Sequence, residues 1–189
     1  MTWIAFIPAV LALLLAPGPT NTLIGLAGAQ GGLRGAARMM PAELAGYLTT
    51  VLPLAVFGGA LVARWPEAAV MLKIAAAIWV MVLAVRLWQP GGKAAPGGVS
   101  RRRVYVTTVL NPKALVFGLV LLPGATAPEF PARLAAFCAL VLLVATAWGL
   151  LGAALRAGLA GGRMMLLQRI AAGWLAFVAI TLLGGAITA

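Results

Sequence analysis

Six long apolar runs constrain this chain more than any other feature of its sequence. Each run is close to or longer than the ~20 residues with which an α-helix crosses the hydrocarbon of a bilayer. The runs are residues 3–29, 36–62, 67–88, 104–123, 131–157 and 166–188. The hydrophobic share of 63% and the charged share of 9% fit the same class of protein. We predict an all-α polytopic membrane protein with six transmembrane helices, forming a single membrane domain over residues 1–189.

The positive charges lie in the gaps between the runs and predict the orientation. The first, third and fifth gaps carry most of the Lys and Arg side chains, whereas the second holds Arg64 with Glu67 and the fourth Arg133 with Glu129. By the positive-inside rule, the basic linker 89–103 is cytoplasmic and both termini lie outside. Topology thus explains the net charge of +11, and nucleic acid is not expected as a partner.

The residue types that the sequence lacks exclude several enzyme classes. It contains no His and no Asp, one Ser (Ser100) and three acids. A Ser-His-Asp triad, an HExxH zinc site and an aspartate dyad therefore cannot be built. The single Cys138 can form neither an intramolecular disulfide nor a cysteine metal cluster. We predict that the protein is not an enzyme and needs no cofactor or metal.

The two halves of the chain are predicted to form an inverted repeat. Three runs on each side of the linker give the halves, 1–88 and 104–189, opposite orientations in the membrane. Each half also interrupts its first helix, at Pro17-Gly18-Pro19 in one and at Asn111-Pro112 in the other. Proline removes a backbone donor and clashes with the preceding turn. We therefore expect two inverted three-helix repeats with broken first and fourth helices.

The paired breaks predict a polar site inside the membrane. Bare carbonyls and amides cost several kcal/mol each in hydrocarbon, so breaks persist where protein or a water-filled cavity lines them. A new half-helix is expected after each break, with Thr20 or Asn21 as the first cap and Asn111 as the second, before Pro112 at the first helical position. Free amides at these starts suit a carboxylate, and Lys113 adds a full charge. The candidate substrate-binding residues are Pro17, Gly18, Pro19, Thr20, Asn21, Asn111, Pro112 and Lys113.

Other interpretations of these residues stay open. Proline kinks often serve only helix packing, and Lys113 is near enough to the cytoplasmic interface for snorkelling. Glu43 is either a first-turn residue paired with Arg38 or Arg34 at the inner surface, or a coupling-ion candidate whose carboxylate lies in the cavity. Glycine pairs at small-xxx-small spacing, such as Gly28 with Gly32, permit either close packing or a homodimer.

Together these motifs resemble the LysE/RhtB amino-acid exporter family, the LysE-type translocators. The likeness runs along essentially the whole chain, through the Pro-Gly-Pro followed by "GAQGGLRGAARMM", the stretch "NPKALVFGLVLLP" and the final "RIAAGWLAFVAITLLGG". It implies six helices in two inverted halves, a bacterial inner-membrane location, and export of amino acids or related small metabolites driven by the proton gradient. Many relatives carry an acid where this chain has Tyr47, and Glu43 lies one helical turn earlier on the same face.

The resulting hypothesis is secondary active export by alternating access. A small zwitterion would bind between the halves, with its carboxylate at the half-helix starts and Lys113 and its amino group facing broken-helix carbonyls and Glu43. The alternatives are a channel-like or other small-solute permease, and a membrane module for assembly without transport.

Overall fold

The computed structural model describes residues 2–65 and 98–158 continuously, and isolated positions between 67 and 88 and between 169 and 184. The two continuous ranges form six α-helices and one π-helical segment, the isolated positions are also helical, and no strand occurs among the described residues. The elements are α1 (Trp3–Leu15), α2 (Pro19–Ala37), α3 (Met40–Arg64), α4 (Arg101–Val109), α5 (Pro112–Val116), the π segment (Phe117–Leu121) and α6 (Phe130–Gly158). The all-α class is confirmed for this part of the chain.

Two of the helices are long and apolar enough to cross a membrane. They include Met40–Gly58 of α3 and Phe130–Leu155 of α6, with mean hydropathies of 1.3 and 2.4. Two bent pairs pass the same test together: α1 with α2, bent by 63°, and α4 with the helix over Lys113–Leu121, bent by 53°. The described residues therefore hold two candidate spans, or four if each bent pair is one span. Most of the predicted third and sixth spans, and residues 89–97 of the linker, lie outside the described residues.

Gly32 lies in the gap between the first two predicted runs. The helix α2 leaves helical geometry at this residue, where φ is 65° and ψ is −166°. This left-handed backbone is accessible to glycine and strained for other L-residues. The helix is kinked here, in the gap between the predicted runs 3–29 and 36–62, and continues to Ala37 before α3 begins at Met40.

Helices α2 and α6 pack with their backbones in direct contact. A Cβ added to Gly28 would overlap the Gly149 carbonyl, and a Cβ added to Gly152 would overlap the Gly25 carbonyl. Small residues allow membrane helices to approach this closely. Of the pair Gly28 and Gly32 noted in the sequence, Gly28 joins this contact and Gly32 faces open space.

Each unbroken span packs against the broken span from the other half of the chain. Helix α3 contacts α4, α5 and the π segment, whereas α6 contacts α2 and α1. At the α3–α4 contact, a Cβ on Gly46 would lie 2.7 Å from the Thr108 Cβ and 2.9 Å from the Tyr105 carbonyl oxygen. A buried cluster that includes Phe6, Tyr47, Phe117 and Phe137 fills the space between these elements. This packing brings the two breaks next to each other.

We expect Gly152→Ala to destabilise the protein, because its Cβ would overlap the backbone of α2 at Gly25. Overpacking of this kind costs about 1–3 kcal/mol. Gly31→Ala is the matched control, because its Cβ would meet nothing within 4 Å and alanine is favoured over glycine in a helix by about 1 kcal/mol. Thermal unfolding of the detergent-purified variants should give a lower midpoint for Gly152→Ala. Equal midpoints would contradict the α2–α6 contact.

Candidate functional site

The first break spans Ala16 to Gly18, and its freed carbonyls are satisfied by a side chain from α2. Gly18, not Thr20 or Asn21, is the N-cap, so the predicted cap is wrong. The reason is that Pro19, with its fixed φ, takes the first helical position and moves the cap to the residue before it. Asn21 points back instead, and its Nδ2 donates to the Leu14 carbonyl at 2.7 Å and to the Ala16 carbonyl at 3.0 Å.

The second break has the cap that the sequence predicts. Asn111 is the N-cap of α5 with Pro112 at the first position, and its Oδ1 accepts a hydrogen bond from the Lys113 backbone amide at 3.1 Å. The carbonyl of Val109 lies in the last turn of α4, and the Thr50 hydroxyl of α3 lies 3.3 Å from it and 3.3 Å from the Gly46 carbonyl of its own helix, so its one hydrogen is shared between the two. A neighbouring span thus supplies a donor that the interrupted helix cannot supply itself.

A directional chain of hydrogen bonds joins the two breaks. Asn111 Nδ2 donates to Thr20 Oγ1 at 3.2 Å, the Thr20 and Thr108 hydroxyls are 3.3 Å apart, and Thr108 Oγ1 donates to the Val104 carbonyl at 2.9 Å. Because Thr108 has one hydroxyl hydrogen and gives it to Val104, Thr20 must donate to Thr108 and accept from Asn111. All three polar side chains are buried.

Lys113 connects the second break to the first. Its Nζ donates to the Ala16 carbonyl, and a Cβ on Gly18 would lie 3.2 Å from the same nitrogen. The half-buried ammonium therefore lies on the interruption of the first span, inside the helical bundle. With the Asn111–Thr20–Thr108 chain, this contact brings Gly18, Thr20, Asn111 and Lys113 into one polar cluster, to which Asn21 belongs through the Ala16 carbonyl.

Glu43 lies in the first turn of α3, but its side chain is only 2% exposed. Within the described residues it forms no ion pair of 4.0 Å or less with Arg34 or Arg38, both of which are exposed. Its Oε2 atom is buried and accepts no hydrogen bond from any described residue. Glu43 is close enough to Lys113 and to Tyr47 to interact with both electrostatically. This placement disagrees with the surface pairing and agrees with a carboxylate inside the bundle.

A partly open cavity of about 190 Å³ lies beside the first break, and four of its wall residues, Leu151, Leu155, Ile170 and Trp174, are exposed on its outer side. It is bounded by α2, by α6 and by the described residues Ile170 and Trp174. Pro17 and Asn21 line it, so it adjoins the polar cluster at Asn21, whereas Lys113, Asn111 and Glu43 are not in its walls. The predicted site residues thus divide between a polar cluster and the edge of a cavity.

Several residues of the site were not singled out in the sequence. Thr50 and Thr108 support the breaks, and Trp148 and Trp174 line the cavity. The available signal was weak: Thr107 and Thr108 are polar residues within an apolar run, and such residues often face the interior of a bundle.

Arg133, which the sequence analysis places with Glu129 in the fourth gap, is buried. It is 5% exposed, and its guanidinium carbon lies 5.6 Å from the Trp3 ring centroid and 5.4 Å from that of Phe6. Its Nη2 is 3.4 Å from Glu129 Oε1. Aromatic rings and a carboxylate together hold this cation at the start of α1.

No protein-family model, curated protein or solved structure matches this chain. The chemistry of the site follows from its own groups. An ammonium, a buried carboxylate, helix-end carbonyls and a short run of hydroxyls and amides can bind the charged groups of a small solute. Among the described residues no three His, Cys, Asp or Glu side chains come together.

We expect Thr20→Val to destabilise the protein, although valine has nearly the same shape. The change removes the acceptor of Asn111 Nδ2 and leaves that buried donor unsatisfied, at a cost of about 1–3 kcal/mol. Thr146→Val is the control, because the Thr146 hydroxyl donates to the Leu142 carbonyl of its own helix. Thermal unfolding should separate the two variants. If both unfold at the same midpoint, the hydrogen-bond chain does not join the breaks.

Proposed function

We propose that this protein is a secondary active transporter, similar to the LysE/RhtB exporters, that moves amino acids or related small metabolites out of the cytoplasm by alternating access. The observation that carries the proposal is the meeting of two helix breaks at one buried polar cluster, where Lys113 of the second break binds Ala16 of the first. Many transporters build their binding site from discontinuous helices in this way. The six-helix inverted repeat and the bacterial inner-membrane location belong to the proposal.

Two contacts support the inverted repeat. Each unbroken span packs on the broken span of the other half, as expected of two interlocking copies of one unit. At the basic end, Arg101 Nε donates to the Arg38 carbonyl at 2.9 Å and the Val99 amide donates to Gln30 Oε1 at 3.1 Å. The first and third gaps therefore lie on the same side of the proposed membrane domain. Two gaps on the same side must be separated by an even number of spans. Runs 36–62 and 67–88 supply that number.

The polar cluster offers a cation, Lys113, and a hydrogen-bond acceptor, the Ala16 carbonyl, for the two ends of a zwitterion. In the proposed bound state the substrate carboxylate pairs with Lys113 near the Asn111 cap. The substrate ammonium then takes the Ala16 carbonyl, the acceptor that Lys113 occupies in this structure. One charge-assisted hydrogen bond replaces another of the same kind, so the exchange leaves no helix-end carbonyl bare.

Glu43 is the proposed site of proton coupling. An inward proton moving down the membrane potential releases about 2.3 kcal/mol per 100 mV, which can drive the export of a zwitterion against its concentration gradient. The Glu43 carboxylate is buried, and one of its oxygens has no hydrogen-bond donor among the described residues. The positive charge of Lys113 acts on it electrostatically. A charge that moves on or off Lys113 with the substrate therefore changes the electrostatic cost of ionising Glu43.

Reconstituted vesicles test the function. Uphill accumulation of an amino acid after a pH gradient is imposed supports a proton-coupled exporter, whereas flux that only dissipates the substrate gradient indicates a channel. In cells loaded with dipeptides, release of one amino acid should be faster with the protein than without it. No flux of any amino acid in either assay would leave an assembly module as the better explanation.

We expect Lys113→Met to slow transport by about tenfold or more, because it removes a charged hydrogen-bond donor worth about 1.5–3 kcal/mol. Methionine keeps much of the length of the side chain. Arg64→Gln is the control, since Arg64 is an exposed cation at the end of α3. Initial rates in vesicles containing equal amounts of folded protein are the measurement. Equal loss in both variants would indicate a general effect of charge.

We expect Glu43→Gln to separate exchange from accumulation. The amide keeps the shape of the carboxylate but cannot take up and release a proton. Counterflow of substrate between the two faces should persist, while uphill movement in response to a pH gradient should be lost. Glu67→Gln, at an exposed acid, should retain both activities. If Glu43→Gln still accumulates substrate with the pH gradient, another group carries the proton.

A further inference from the structure

The cavity beside the first break has a different chemistry from the polar cluster. Its described walls are apolar except at Asn21 and Thr22. Both of these side chains already use donors within the protein: Asn21 Nδ2 on the Leu14 and Ala16 carbonyls, and the Thr22 hydroxyl on the Gly18 carbonyl at 2.9 Å. The indole rings of Trp148 and Trp174 add apolar surface.

A charged group would be poorly accommodated in this cavity. None of the described acids lies in its walls, and neither does Lys113 or a described arginine. A charged side chain that contacts these walls would lose hydration there without meeting an opposite charge. An uncharged apolar group loses no such hydration and gains contact with the walls.

The volume of the cavity suits a medium or large apolar side chain. It measures about 190 Å³, and an apolar protein cavity of about 150 Å³ is large enough to bind benzene. A branched aliphatic side chain or a phenyl ring is of this size. A methyl group would leave most of the space unfilled.

The position of the cavity connects it to the proposed binding site. Asn21 belongs to both: its Nδ2 binds the Ala16 carbonyl, on which Lys113 also lies, and its side chain lines the cavity. The polar cluster and the cavity therefore share Asn21 as a common border.

We propose that this cavity receives the side chain of the substrate, so that the transported amino acids are apolar, of the size of leucine or phenylalanine, and not cationic. This inference rests on the proposed export function. It assigns the polar cluster to the groups common to all amino acids and the cavity to the group that distinguishes them.

Gly25 offers a direct test because it lines the cavity. A Cβ at this position would lie 3.7 Å from the Trp148 carbonyl oxygen and 3.9 Å from its ring, which are ordinary contacts, so a larger side chain extends into the free space. Gly31→Leu is the matched control in the same helix, since a Cβ there meets nothing within 4 Å. The assay is uptake of radiolabelled leucine, phenylalanine, alanine and lysine into vesicles under an imposed pH gradient.

The wild-type protein should transport leucine at least about tenfold faster than lysine, as expected for a pocket that leaves a charge unpaired. In Gly25→Leu the ratio of leucine to alanine transport should fall by about tenfold or more, the usual range for lost space in an apolar pocket. Gly31→Leu should keep the wild-type ratio. If Gly25→Leu does not reach the membrane folded, Gly25→Ala is the alternative variant. It should lower the ratio of phenylalanine to alanine transport, by less than is expected for Gly25→Leu.

Two results would overturn the inference while leaving the exporter in place. One is lysine transport as fast as leucine transport in the wild type. The other is an unchanged leucine-to-alanine ratio in the cavity variants, which would assign the cavity to a lipid chain or to packing. Failure of the wild type to move any of the four amino acids would instead overturn the proposed function, and the inference with it.

Discussion

The structure depends on how this chain satisfies the backbone groups that two interrupted apolar helices expose. Water is absent from hydrocarbon, so each freed carbonyl needs a donor from the protein. The donors come from across each break or from another span: Asn21 returns to Leu14 and Ala16, Lys113 reaches Ala16, and Thr50 reaches Val109. The breaks are stable because each lies beside groups that the other elements provide.

This requirement explains the packing of the helices around the breaks. The second break can serve the first only if α4 and α5 lie against the junction of α1 and α2. Helix α3 holds α4 from one side at Gly46, where the absence of a Cβ permits close approach, and α6 holds α2 from the other at Gly28 and Gly152. The glycines therefore set the distances at which the polar groups meet. The close helix packing and the hydrogen bonds at the breaks depend on each other, because loosening either helix contact would move donors away from their acceptors.

The sequence predicted the elements better than their mutual orientation. The length of an apolar run, the position of a proline and the Asn-Pro pair act through local chemistry. The apolar helices α3 and α6, both breaks and the Asn111 cap could therefore be predicted from the sequence. The first cap was misplaced because Pro19 shifts it to Gly18. The partnership of Thr20 with Thr108, across 88 residues, depends on how apolar helices rotate about their axes, which hydrophobicity does not encode. The burial of Arg133 by Trp3 and Phe6 was hidden for the same reason.

Asn21 lies where two different environments meet. On one side its amide satisfies helix-end carbonyls beside an ammonium; on the other, its side chain borders an apolar cavity. Water in the cavity would find few hydrogen-bonding groups, so an apolar group is its better occupant. A small molecule with charged groups at one end and hydrocarbon at the other satisfies both sides at once. An apolar amino acid has that distribution, so the arrangement that stabilises the breaks also suits the proposed substrate.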